Sequence, residues 1–195
     1  MEIKESNMRE CSWPGNNDLM RKYHDEEWCV PSHDDRFIFE MLNLEGAQAG
    51  LSWSTVINKR AEYLLAFHHF DIDYCADLKD EDLDDIRINY GIIKNRLKIQ
   101  AVRTNAILTK QLISEFGSLS NYFWTYVNQK PIINQWDREN QMPAESDVSQ
   151  RISQDLKKRG FKFVGSVIIY SFMQAIGMVD DHIIDCPYHS QNKRP

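Results

Sequence analysis

Long apolar runs are the first thing this sequence lacks. No segment approaches the ~18 consecutive apolar residues of a membrane span, and Met1 to Met8 is polar, without the apolar stretch of a secretory signal. Cysteine is scarce. Cys11, Cys29, Cys75 and Cys186 form no dense disulfide pattern, so an intracellular, cytoplasmic protein is expected. Positive charge is also short: 23 Lys and Arg face 29 Asp and Glu, a formal net charge of −6. That balance argues against a surface that coats nucleic acid broadly, because phosphate recognition relies on Lys and Arg. Strict two-residue alternation is almost missing, which argues against a sheet. There is no repeat at a solenoid period and no low-complexity tract.

The chain does carry helical spacing, nearly throughout. Phe37, Met41 and Leu44 predict a helix from Asp34 that leaves at Gly46. Ser52 is a good cap for one running through Trp53, Val56, Ile57, Arg60 and Leu64. Further helices are expected over 80–89, 94–116, 118–127, 146–158 and 165–176, with Gly117, Gly160 and Gly177 as stops. The segment before Pro31 reads as irregular, and 131–145 as a loop packed through Trp136. About seven helices without a sheet set the class as all-α. At 195 residues the chain can bury a core as a single unit, with two helical lobes as a variant of that organisation.

Two pairs of metal-capable residues stand near the ends: Cys11 with His24, and His182 with Cys186. Two thiolates and two imidazoles suit tetrahedral zinc. From spacing alone these are equally two unrelated pairs at loose termini. If all four ligate, no position is left for water, and the ion is a structural staple between the ends rather than an activator.

The segment 83–99 carries a second pattern. A short helix ends at Gly91, Ile92 and Ile93 turn inward, and a long helix begins at once, with Lys94, Arg96 and Lys98 beside it. Free N–H groups at a helix start can receive phosphate oxygens without reading sequence. Each basic cluster, including Lys157 to Lys162, is also readable as an ordinary solvated helix end.

The sequence resembles the DNA-3-methyladenine glycosylase I family, a divergent branch of the helix-hairpin-helix DNA glycosylases. The resemblance is carried by Arg9-Glu10-Cys11-Ser12-Trp13, by Tyr23 through Pro31, and by Leu44-Glu45-Gly46-Ala47-Gln48-Ala49-Gly50-Leu51-Ser52-Trp53. It continues through Gly91 to Arg96, Lys158 to Gly165, Tyr170 to Ala175 and Asp181 to Cys186. It implies an all-α, helix-hairpin-helix glycosylase-like fold with a zinc site joining segments 8–31 and 180–190, and the ligand set Cys11, His24, His182 and Cys186. One structural zinc and no organic cofactor are then expected. The partner is double-stranded DNA containing alkylated bases, no membrane is involved, and the protein acts as a monomer.

The implied activity is release of N3-methyladenine by hydrolysis of its glycosidic bond, leaving an abasic site. N3-methylation places positive charge on the base, which weakens that bond before any catalytic group acts. Glu45 is assigned to recognition of the adenine edge and to catalysis; without the resemblance it reads equally as a base-binding carboxylate and as an ordinary acid near a helix end. Trp53 would stack on the flipped base, Tyr23 would offer a ring and a hydroxyl, and Trp28 would form a wall. Taken blind, each of these aromatics reads as core filler more readily than as pocket. Gly91, Ile93, Lys94, Arg96 and Lys98 are assigned to the DNA backbone. No Asp occurs from Ile86 through Trp136, and Glu115, the only acid there, is a weak substitute for a water-activating group. A Schiff-base lysine is not indicated, so strand cleavage is not expected. Ser12, Cys29 and Ala47 depart from the family's glycine, glycine and glutamine, and Cys29 reads as a stray thiol.

Overall fold

A computed structural model describes residues 9–192. The elements run α1 (Asp18–Glu26), α2 (Asp35–Gln48), α3 (Trp53–Ile57), α4 (Arg60–Ala66), α5 (Ile72–Asp77), α6 (Asp80–Asn89), α7 (Arg96–Phe116) and α8 (Leu119–Trp124). After a loop holding the two-residue strand β1 (Ile132–Ile133) come α9 (Asp147–Arg159), α10 (Ser166–Ala175) and β2 (Val179–Asp180). Met8, at the edge of the expected zinc-binding segment, lies outside the described residues.

The starts of the helices follow short polar side chains. Asn17, Asp34, Ser52, Asp71, Asn95, Ser118 and Ser146 each accept a backbone N–H from the first turn. The all-α class holds, with one small addition. β1 and β2 pair in parallel, Ile132 opposite Val179, and extend into a bridge between Trp136 and Ile183. This pairing lays the 131–145 loop against the C-terminal segment. No helix among the described residues is long and apolar enough to cross a membrane.

Four expectations change. The segment before Pro31 contains α1, whose inward residues are only Met20, Tyr23 and His24. The helix after Ser52 is two, α3 and α4, and α5 follows a 3-10 turn at His68–Phe70. Helix α7 starts at Arg96, because Asn95 caps it, so Lys94 lies before the helix. Gly46 does not end α2. A Cβ there would sit 3.2 Å from the Phe163 Cβ, so the glycine allows the 161–164 segment to cross the helix closely.

Helices α2 and α10 are the centre of the core; Ile38, Phe39, Met41 and Leu44 of one and Ile169, Phe172 and Met173 of the other are fully buried. Gly177 then turns the chain at φ +71°, directly over the backbone of Val30 and Pro31. A Cβ at Gly177 would stand 2.2 Å from the Val30 carbonyl carbon. Gly177→Ala is therefore expected to lower stability by at least about 3 kcal/mol. Urea unfolding measures this, and an unchanged midpoint would contradict the crossing.

Candidate base pocket and metal-capable cluster

The end of α1 is fixed by charge. Arg60 on α4 donates to both Glu27 carboxylate oxygens, at 2.8 and 2.7 Å, and to Glu40 on α2 at 2.6 Å. The partly buried triad ties three elements together and sets where α1 points its inner residues. Two of those, Tyr23 and His24, are consecutive and serve different neighbourhoods.

On the Tyr23 side lies a cavity of about 310 Å³, lined by Trp13, Tyr23, Trp28, Glu45, Gln48, Trp53, Glu139, Met142, Ser171 and Gln174. Tyr23 and Trp53 face one another with ring centroids 5.1 Å apart, and Trp13 meets Trp28 edge-on at 5.0 Å. Glu45 projects from the last turns of α2, 3% exposed, and its Oε2 has no hydrogen-bond partner among the described residues. Burial alone pushes its carboxyl up to about 8. The indole N–H groups of Trp13 and Trp53 are also buried without partners. An apolar-walled cavity with unmatched polar atoms aimed into it suits a flat, hydrogen-bonding ligand.

The structure thus brings Tyr23, Trp28, Glu45 and Trp53 to one place. It adds Trp13, Gln48, Ser171 and Gln174, all within the strings that carry the family resemblance but given no role there. Glu115 is elsewhere, held by Arg159 at 2.6 Å, and does not line the cavity.

On the His24 side, Cys11, His24 and Cys186 are all buried, with their ligand atoms within 4.8 Å of one another. The Cys186 sulfur lies 3.8 Å from His24 Nε2. The hydrogen bond from Cys11 lowers Cys186 to about 4, with His24 adding to it, and Cys11 is pushed up in return. The two sulfurs and the His24 Nε2 thus converge where a cation could take the place of their protons. His182 stands outside that three-residue group but beside it, its ring 4.8 Å from the His24 ring. Its Nδ1 is bonded to Asp180 at 2.9 Å, and its buried Nε2 has no partner among the described residues. Likewise His24 Nδ1 is bonded to Asp25 at 2.7 Å. Carboxylates that hold both Nδ1 atoms leave both Nε2 atoms as ligands, the usual arrangement behind metal-binding histidines. His182 itself belongs to a second metal-capable group, with Cys29 and Asp180.

Trp28 links the two neighbourhoods. Its ring is 5.8 Å from His24 and 4.7 Å from His182, and it also lines the cavity. Cys29 next to it is not a stray thiol. It is 5% exposed, adopts φ +61°, the left-handed region that glycine prefers, and its sulfur accepts the Asp181 N–H at 3.3 Å.

The hairpin is more internally committed than the sequence suggests. The Gly91 N–H donates to Glu62 at 2.8 Å, and Lys94 Nζ to the Ile88 carbonyl at 2.9 Å. Lys98 Nζ donates to the Ala47 and Ala49 carbonyls, at 2.8 and 2.6 Å, closing the end of α2 next to Glu45. Arg96 is exposed at the start of α7 and has no side-chain partner among the described residues.

Fold and site together define an all-helical enzyme of the DNA glycosylase class. The family model described as Methyladenine glycosylase matches residues 13–189. The DNA-3-methyladenine glycosylase 1 of Escherichia coli is 42% identical over 186 residues, 95% of this chain and 100% of that protein. The DNA-3-methyladenine glycosylase of Haemophilus influenzae is 42% identical over 177 residues, 91% and 96% of the two chains. The solved 3-methyladenine DNA glycosylase I (TAG) of Staphylococcus aureus superposes with a TM-score of 0.91 at 34% identity, covering 96% of this chain and 99% of that one. The chain belongs to the DNA-3-methyladenine glycosylase I family.

The raised Glu45 carboxyl has a consequence for stability. Its folded value, about 8, lies above the ordinary 4.5, so between these pH values the unfolded chain binds fewer protons. Stability from this group is lost as pH rises through that window. Glu45→Gln should therefore be more stable than the parent at pH 7, by roughly 3 kcal/mol, with the difference vanishing near pH 4. Equal stabilities at pH 7 in urea titrations would refute the buried, unpaired acid.

Proposed function

We infer that this protein removes N3-methyladenine from DNA by hydrolysing the bond between base and sugar, releasing the free base without cutting the strand. The observation that carries the reading is a buried, unpartnered Glu45 inside an aromatic cavity in a chain of this family. A base can enter only when flipped out of the stack, at a cost of a few kcal/mol that is least for damaged bases. Tyr23 and Trp53 supply π faces that attract the cationic ring more than a neutral adenine, and Trp28 closes the wall. Glu45 recognises the adenine edge and, as the cation arrives, its carboxyl is drawn toward the ionised form. The methylated base leaves as a neutral molecule, so little further acid–base machinery is required.

Arg96, the Ile93 backbone and the start of α7 hold the DNA phosphates. Gly91 shapes the turn, while Lys94 and Lys98 brace the hairpin and add positive field. The protein acts as a single monomeric unit on double-stranded DNA carrying alkylated bases, inside the cell.

One structural zinc is held by Cys11, His24, His182 and Cys186, and no organic cofactor is required. The donor set fits the ion: two sulfurs, and two Nε2 atoms whose opposite nitrogens are held by carboxylates. Bound there, the ion supplies cross-linking and no chemistry.

Incubation with DNA containing N3-methyladenine, followed by chromatography, should show release of the free base and an intact strand. Glu45→Gln should release it about 100-fold more slowly. No release by the parent would sink the activity, and full release by the variant would sink the part given to Glu45. Separately, the purified protein should contain one zinc per chain. Cys186→Ser should lose it and melt about 10 °C lower; a metal-free parent or a variant with normal zinc would refute the staple.

A further inference from the structure

Gln174 on α10 lines the cavity, and one end of its amide is already committed. Its side-chain nitrogen lies 2.6 Å from Asp181 Oδ2. A carboxylate only accepts, so the atom facing it must be the NH2. Asp181 cannot turn away to release it. The carboxylate is fully buried, Oδ2 also accepts from the Tyr170 hydroxyl at 2.8 Å, and Oδ1 accepts from Asn134 and the Trp136 indole, each at 2.7 Å. With its nitrogen held, Gln174 has its oxygen left over, and that oxygen has no hydrogen-bond partner among the described residues.

An ordinary glutamine in a pocket serves donors and acceptors alike by rotating its amide half a turn. This one cannot, because the flip would set an oxygen against the Asp181 carboxylate. Glu45 lacks such rigidity, since a carboxyl accepts when ionised and donates when protonated. The hydroxyl of Ser171 is similarly adaptable.

We propose that Gln174 is a specificity-determining residue: its amide oxygen, locked by Asp181, is a fixed acceptor for the exocyclic amine of the methylated adenine and turns away bases with a carbonyl at that position. Adenine carries an amine at carbon 6 where guanine carries an oxygen. A fixed acceptor meets the first with a hydrogen bond and the second with repulsion, and a site built for one partner rejects its opposite far more strongly than an apolar wall does. Asp181 is the positioning residue behind it.

The inference rests on the cavity being the base site, and its test separates the two. DNA methylated at N3 of both purines is treated with the parent and with Gln174→Met, and the free 3-methyladenine and 3-methylguanine are quantified to give the ratio of kcat/KM values. The variant is expected to lose about tenfold in that ratio, because the loss falls on adenine. A structural role for Gln174 would slow both bases equally, so an unchanged ratio overturns the proposal at any absolute rate. If the parent releases neither base, the functional reading itself has failed. Should the variant not fold, the parent decides alone. The side-chain amide signal of Gln174 in nitrogen-15 NMR is expected to shift when free 3-methyladenine saturates the protein, and to move less with 3-methylguanine. Equal shifts, or none with bound 3-methyladenine, overturn the assignment.

Discussion

The fully buried carboxylate of Asp181 is the constraint on which the rest of this structure turns. A charge away from water is tolerable only when hydrogen bonds replace its hydration. Here four side-chain donors do so: Asn134 and Trp136 from the long loop, Tyr170 and Gln174 from α10. The backbone N–H of the same residue reaches Cys29 in the N-terminal segment. One side chain and its own amide thus fasten three remote stretches of chain around the C-terminal strand. Removing any donor would leave part of a buried charge uncompensated, which makes the junction stiff as well as crowded.

That stiffness is passed to two places at once. His182 follows Asp181 directly, its Nδ1 bonded to Asp180, so the imidazole is fixed beside the thiol cluster with its Nε2 left over. Gln174 carries the constraint into the cavity. The metal-capable cluster and the cavity also share α1, where Tyr23 and His24 are neighbours, and they share Trp28, in ring contact with both histidines. The metal-capable cluster and the cavity are therefore coupled through packing, because Trp28 rests on both histidines and also lines the cavity. The sequence suggests a staple whose removal costs stability first. The geometry places the pocket wall within one aromatic ring of it.

Much of this organisation is legible in the residues themselves. The caps at Asp34, Ser52 and Ser146, and the stops at Gly117 and Gly160, act through neighbours three or four positions away, so spacing reveals them. The helix α1 was hidden because its sequence, Asp-Leu-Met-Arg-Lys-Tyr-His-Asp-Glu, is mostly polar and buries a narrow face. Gly46 looks like a terminator in one dimension, but it answers to Phe163, and no local pattern records that approach. Lys98 and Gly91 look like phosphate ligands for the same reason. Their partners, Ala47, Ala49 and Glu62, are close only in the folded chain. The family strings brought Glu45, Trp53 and the four metal-capable residues into view together, whereas Gln174 stood in such a string with nothing to mark its role. Its significance depends on which way an amide faces, and that is decided by a carboxylate seven positions on.

The division of labour in the cavity follows from these differences in rigidity. In the proposed function, chemistry on a base that already carries positive charge needs a group able to respond to the charge, and Glu45 suits that part because its Oε2 has no hydrogen-bond partner among the described residues. Burial raises its carboxyl to about 8, which favours the neutral form at pH 7 over a bare anion in a low-dielectric wall. Telling one alkylated purine from another needs the reverse, a group that cannot respond. With an adaptable acid and a fixed amide lining one small cavity, the proposed site would take a charged lesion without accepting every base that carries one.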